Sequence, residues 1–299
     1  MRTFPYHHVD VFTDRVLEGN PLAVFTEPGD LSNAEMQAIA LEMNLAETVF
    51  IFPPVSSGSL AQLRIFTPRR ELAFAGHPTI GAVAMLLAMR GDAHEHFTVD
   101  EGVGPVPIRV ERLPSGQNRI WLTTPPVTFG AEVARDRAAQ MLGIAESDVY
   151  ADAVPRYASA GSPFLFIPLR DVDAVDRASF AVGTLPAPEC PDVVGVFFFT
   201  PRHTLDAAPH AVYSRMFAPW SGISEDPATG GATGPLAAYM LRERMLNASE
   251  DLSLISEQGT QMGRRSFLHV RVTHVDGTSP SIEVGGSIAP FSVGTVTLP

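Results

Sequence analysis

The amino-acid sequence predicts an α+β fold built from two related halves, each a curved sheet closed around one apolar helix. Three observations lead there. The first is an ordered recurrence of short patterns. Gly19-Asn20-Pro21 opens the apolar run 22–25, and Gly161-Ser162-Pro163 opens 164–167. Phe66-Thr67-Pro68 and Phe217-Ala218-Pro219 follow, and then His77-Pro78-Thr79-Ile80-Gly81 and Asp226-Pro227-Ala228-Thr229-Gly230. Matched positions lie 142, 151 and 149 residues apart, a nearly constant period. The second observation is the segment 82–88, which is apolar on every side and would not stay on a surface helix, so the sheet of its own half should wrap it. The third is bulk: 299 residues, 45% hydrophobic and 18% charged, suit one or two domains with a sizeable core. The expected organisation is an N-terminal half over 1–126, a C-terminal half over 127–285, and a segment 286–299 that returns to the first half.

The elements follow in order. Residues 9–12 and 22–25 read as strands on either side of the Glu18-Gly19-Asn20-Pro21 turn. An amphipathic helix over 32–43 comes next, capped by Ser32 with Glu35 three residues on. Strands are expected at 48–52 and 60–66, before the apolar helix that opens at Pro78. Strand-like segments at 109–110 and 120–122 lead into Thr123-Thr124-Pro125-Pro126, a stiff stretch suited to an interdomain crossing. The second half should begin with a helix over 132–142. It continues through a strand after Gly161, a buried strand at 193–199 and a central helix opening at Pro227. Strands near 252–256, 268–272 and 281–284 close it.

Composition removes several classes of function. The formal net charge is −12 and no basic run occurs, so a nucleic-acid backbone would meet repulsion. All 21 basic residues are arginine. Without lysine there is no pyridoxal-phosphate Schiff base, no lysine aldol chemistry and no phosphate-reaching P-loop lysine. Cys190 is the single cysteine, which excludes an intrachain disulfide and a two-thiol racemase. The first twelve residues lack the apolar core of a signal peptide, and the longest apolar run, 80–89, is too short for a bilayer. The expectation is a cytoplasmic protein with no membrane partner.

Two sites carry a proton-transfer side chain just before a proline. Proline favours the first helical position, so His77 and Asp226 are each expected at or beside a helix N-cap. Backbone N–H groups there, around Gly76, Pro78 and Thr79 and around Gly230 and Gly231, would satisfy a carboxylate. Two halves facing each other would bring both helix starts to a shared cleft for a small carboxylate substrate. Glu47, in Asn44-Leu45-Ala46-Glu47-Thr48-Val49-Phe50, sits where a helix passes into a buried strand. Partial burial there would raise its pKa toward the range of a general base. The alternative is a glutamate at a strand edge pointing to water. His94 and His96 would share one face of a strand, yet no third ligand of matching spacing follows and no metal is expected.

Taken together, the motifs resemble the phenazine-biosynthesis PhzF-like family. They are Gly19-Asn20-Pro21, Asn44 to Thr48, Phe66-Thr67-Pro68, Glu71 to Gly81, Phe217-Ala218-Pro219, Glu225 to Gly230, and Glu257-Gln258-Gly259 with Met262-Gly263-Arg264. They stand in the family's order across nearly the whole chain. The resemblance implies a diaminopimelate epimerase-like fold of two pseudo-symmetric halves, each a largely antiparallel sheet around a central helix. It also implies a cofactor-free isomerase working as a homodimer. Residue by residue, Glu47 matches the family's acid/base glutamate, His77 its histidine and Asp226 its aspartate, while Asn20 belongs to a motif shared with the family. One position departs: the family commonly shows Asp-Pro-Ala-Thr-Gly-Ser, and here Gly231 replaces the serine.

The reading is a cofactor-independent isomerase moving a proton between carbons of a small unsaturated or cyclic carboxylate. Glu47 would remove and return the proton, with His77 and Asp226 supplying or orienting protons. Two alternatives stay open. One is an epimerase or racemase setting Glu47 against His77 or Asp226 as two bases. The other is a non-catalytic carboxylate-binding protein, favoured by Gly231 and opposed by the intact Glu47, His77 and Asp226.

Overall fold

In the computed structural model of the chain, the described residues are 1–91, 94–180, 192–205, 208–221, 223–247, 251–274 and 280–299. Cys190 lies outside them. The chain forms two compact units, Met1–Thr123 with Gly285–Pro299, and Thr124–Val284.

In the first unit the strand Arg2–Val11 pairs antiparallel with Asn20–Phe25 on one side and with Ile288–Leu298 on the other. The capped helix Asn33–Met43 then carries the chain across to Glu47–Phe52, which lies parallel to Asn20–Phe25. Such a crossover is what a parallel pair requires. Glu47–Phe52 pairs antiparallel with Ser59–Phe66, which pairs antiparallel with the short strand Glu71–Leu72 and parallel with His96–Glu101. The helix Gly76–Arg90 lies between those last two in sequence. Antiparallel Gly104–Arg112 and Asn118–Thr123 complete the unit.

The second unit repeats this order. Arg156–Ser159 pairs antiparallel with Pro163–Pro168, which runs parallel to Gly195–Leu205. Gly195–Leu205 is antiparallel to Ala208–Ala218, and that strand is antiparallel to Ile223–Asp226 and parallel to Leu252–Gln258. The helix Gly230–Arg242 separates the last two in sequence, and Ser266–Thr273 follows antiparallel to Leu252–Gln258. The strand Thr128–Glu132 flanks Arg156–Ser159, as Ile288–Leu298 flanks Arg2–Val11. The fold is thus mixed α+β with largely antiparallel sheets.

Both central helices are enclosed. His77 to Leu87 are all buried, so the apolar ring of this helix meets protein on every side. Its Gly81 permits close approach, because a Cβ there would lie 2.4 Å from Leu22 Cδ2 and 2.9 Å from Val11 Cγ2. Gly234 does the same in the second unit, where a Cβ would lie 2.2 Å from Thr124 Oγ1. The run Phe197-Phe198-Phe199 is apolar throughout because both faces of its strand are covered. Phe197 and Phe199 pack with Leu236 and Tyr239 of the central helix, while Phe198 packs with Leu142, Val175 and Phe217. Phe25, Phe50 and Phe66 form the corresponding aromatic group of the first unit, with Phe25 and Phe50 stacked at 4.9 Å.

Helix starts differ from the sequence expectation. The first central helix begins at Gly76 with Ala75 as N-cap, so Pro78 is its third residue; the N–H groups of the first turn have no intrahelical partner, and proline is tolerated there too. The second begins at Gly230, three residues beyond Pro227, and its internal proline is Pro235. The helix expected over 132–142 spans Arg135–Leu142, because Thr128–Glu132 is drawn into a strand by Arg156–Ser159.

Candidate active site

The first cluster forms where three distant segments of the first unit meet. Asn44 ends the helix Asn33–Met43 in a left-handed conformation, φ 52°, and the chain enters its strand at Glu47. The parallel register sets Leu22 opposite Glu47, which brings Asn20 and Pro21 alongside. His77, the second residue of its helix, is 5% exposed, and its Nδ1 lies 3.2 Å from Glu47 Oε2. Glu47 keeps 18% of its side-chain surface in solvent. Burial pushes the His77 pKa down to about 3, against an upward pull from the Pro21 carbonyl. The imidazole is therefore neutral near pH 7. The 3.2 Å contact with Glu47 is thus not an ion pair.

Two residues farther along the same helix, Thr79 meets a carboxyl group that the sequence did not mark. Thr79 is fully buried, with Oγ1 2.7 Å from the Ala75 carbonyl and in close contact with Glu101 Oε1. The single Thr79 hydroxyl proton is shared between two acceptors, the Ala75 carbonyl and Glu101 Oε1. Burial pushes the Glu101 pKa up to about 7 despite hydrogen bonds from Thr79 and the Ala75 backbone. Glu101 is 7% exposed.

The N-cap Ala75 gives no side-chain hydrogen bond to the first turn of this helix. By contrast, the helix Asn33–Met43 has a complete capping box of Ser32 and Glu35. The start of this helix at Gly76 and His77 thus has the chemistry of an anion site: backbone donors and the positive end of the helix dipole.

The second cluster centres on Asp226, 8% exposed, at the end of its strand and opposite Met216. It is not beside a helix N-cap. Gln258, fully buried, accepts from the Thr229 N–H at 3.1 Å and donates to the Asp226 carbonyl at 2.8 Å. That side chain spans residues 226–229 and holds them out of the helix, which accounts for the late start at Gly230. Thr229 Oγ1 donates to Asp226 Oδ2 at 2.6 Å. Gly230 and Gly231 are the first two helical residues, and a Cβ on Gly231 would meet nothing within 4 Å. Next door, Glu225 is held by a two-pronged contact from Arg215, which also donates to the carbonyls of Val175, Asp176 and Ala178.

Of the residues singled out by sequence, Asn20, Glu47, His77 and Thr79 fall in one neighbourhood of the first unit. Asp226, Gly230 and Gly231 fall together in the second. His94 and His96 are exposed, and among the described residues no group of three His, Cys, Asp or Glu side chains is placed to hold a metal ion. Glu101, Thr229 and Gln258 were missed as functional side chains. Glu101 stands in Asp100-Glu101-Gly102, a pattern that reads as a solvated hairpin end, whereas Gln258 lies in a motif quoted without a role.

Comparison with known proteins decides the family. The pattern of the family described as "Phenazine biosynthesis-like protein" (PhzC-PhzF) matches residues 9–294. The chain belongs to this family. It is 33% identical to the trans-2,3-dihydro-3-hydroxyanthranilate isomerase of Pseudomonas chlororaphis, over 98% of this chain and 100% of the relative. The Pseudomonas fluorescens protein of the same name is 31% identical over 98% and 99%. Among solved structures, the PhzF-family phenazine biosynthesis protein of Bacillus anthracis superposes with TM-score 0.88 at 26% identity, covering all of both chains. A hydroxyproline epimerase from Agrobacterium vitis, TM-score 0.61 at 15% identity, covers 99% of this chain and 92% of its own, and shares the fold. The chain is an isomerase of the PhzF type. No helix among the described residues is long and apolar enough to cross a membrane.

Proposed function

We propose that this PhzF-family isomerase moves a proton between carbons of a small unsaturated or cyclic carboxylate without a cofactor. The observation that carries the reading is the 3.2 Å contact between the partly exposed carboxylate Glu47 and the buried, neutral His77. Glu47 is the group that can reach both solvent and substrate, so it takes the C–H proton and returns it elsewhere on the conjugated system. His77 accepts or supplies a proton behind it and keeps the carboxylate oriented. Backbone N–H groups of Gly76 and His77 in the first unit, and separately those of Gly230 and Gly231 in the second, are donors suited to carboxylate or developing enolate charge. Asn20 assists in binding, and Asp226 is a further proton acceptor. The reading includes a homodimer, supported by the family resemblance, in the cytoplasm, supported by the single cysteine and a first segment without the apolar core of a signal peptide.

The test uses trans-2,3-dihydro-3-hydroxyanthranilate, on which the named relatives act, as the first compound. Glu47→Gln should keep the fold and lower turnover on the order of 10²–10⁴-fold, the loss expected for a general acid–base group. Turnover by the wild type should persist in a strong chelator. In deuterated water, a single base on one face should return part of the original hydrogen to product. Solvent label confined to an inverted product would make the chain an epimerase, and a Glu47→Gln protein with wild-type turnover would remove Glu47 from the mechanism.

A further inference from the structure

Four hydrogen bonds in the second unit fix where one proton lies. The Thr229 N–H can only donate and the Asp226 carbonyl can only accept, so the Gln258 amide has one possible orientation: Oε1 faces the first at 3.1 Å and Nε2 faces the second at 2.8 Å. The second Nε2 proton points at Thr229 Oγ1, 3.0 Å away. Thr229 Oγ1 is therefore an acceptor in that contact and must use its own proton elsewhere. The remaining partner is Asp226 Oδ2 at 2.6 Å, a distance typical of a hydroxyl donating to a carboxylate. Oδ2 consequently carries no proton.

We infer that Gln258 is a positioning residue: through Thr229 it turns a hydroxyl proton onto Asp226 Oδ2 and so holds Asp226 in its unprotonated, proton-accepting form. The inference rests on the reading that Asp226 takes part in proton transfer, and it adds a direction to that reading. Glu225 is engaged by Arg215, and Glu257 by Arg265 and Thr260. Each of these glutamates is adjacent in its strand to Asp226 or Gln258, so it projects to the opposite face.

The experiment is a pH titration of full-length protein carrying aspartate labelled with ¹³C at the carboxyl carbon. The Asp226 resonance is the one missing from Asp226→Asn. In Thr229→Val the carboxylate loses its hydroxyl donor, and the midpoint of the Asp226 titration should rise by about one pH unit or more. The Thr229 side chain makes no capping bond to the helix, so this variant keeps the helix start. Thr229→Ser should restore the wild-type midpoint. Gln258→Met, which frees the hydroxyl from its fixed direction, should raise it by a smaller amount. Coincident titrations in wild type, Thr229→Val and Gln258→Met would overturn the inference. The underlying reading fails separately: Asp226→Asn turning over trans-2,3-dihydro-3-hydroxyanthranilate at the wild-type rate removes Asp226 from catalysis, whatever the titrations show.

Discussion

The two units repeat one strand order, with the same parallel and antiparallel steps, yet they deliver their acid–base groups by different local structures. In the first, the helix starts before the histidine, so His77 lies inside the opening turn and is neutral because it is buried. In the second, Gln258 restrains residues 226–229, the helix starts after them, and Asp226 stays at a strand end. Each unit sets a threonine against a carboxyl group, in different company: Thr79 shares its proton between the Ala75 carbonyl and Glu101, whereas Thr229 receives one proton from Gln258 and gives its own to Asp226. A duplicated scaffold preserves pairing and core, which are set by many residues at once. A turn of four or five residues is set by one or two side chains, and there the copies are free to diverge.

The largest expected effect breaks the first cluster. Glu47→Gln and His77→Asn should each lower turnover at least 10²-fold, and the double variant should be hardly worse than the poorer single one, since the two act as a unit. Independent, multiplicative losses in steady-state kinetics would show that the 3.2 Å contact has no catalytic meaning.

The next prediction concerns stability. The Glu101 pKa rises from 4.5 unfolded to about 7 folded, so above pH 4.5 the unfolded chain gives up a proton that the folded one keeps. Stability from this group is full below pH 4.5 and falls until about pH 7. Glu101→Gln should remove that loss and be more stable than wild type at pH 8, by an amount up to roughly 3 kcal/mol, in urea denaturation at several pH values. His77 works in the other direction. Its folded pKa of about 3 lies below the ordinary 6.5, so its contribution is present above pH 6.5 and is lost as pH falls toward 3. A His77→Asn variant should therefore lose less stability than wild type between pH 6.5 and pH 4.

Smaller effects test the scaffold. Gly81→Ala and Gly234→Ala should each cost about 1–3 kcal/mol by overpacking. Gly234 should be the more sensitive, because short, branched Thr124 can yield less than the end of Leu22. Ser32→Ala, which removes a capping box far from either cluster, should cost about 1 kcal/mol and leave turnover unchanged.

Much of this was legible in the sequence because it rests on patterns spread over many residues. The all-round apolar segment after His77 required an enclosed helix, and the Ser32/Glu35 spacing required a capped one. The motif run carried the family and the isomerase class. The central helix starts were not legible, since His-Pro and Asp-Pro look alike and the distinction lies in Gln258, about thirty residues downstream. Glu101 was hidden for a related reason. Two acids before a glycine turn look solvated, and only the close approach of Gly102 to Ala73, where a Cβ would lie 2.8 Å from the Ala73 Cα, shows that the hairpin end is pressed against the entry to the helix.

The strand Ile288–Leu298 runs along the whole of Arg2–Val11, with Arg2 opposite Leu298. During synthesis this creates an inversion of order. The unit whose strands emerge first must wait for the last strand to leave the ribosome, while Thr124–Val284 has all its own strands beforehand. Until then Arg2–Val11 presents a bare strand edge to the nascent-chain environment, where such edges recruit chaperones or other strands. Released chains truncated before residue 288 should thus protect the second unit from protease while the first remains cleavable.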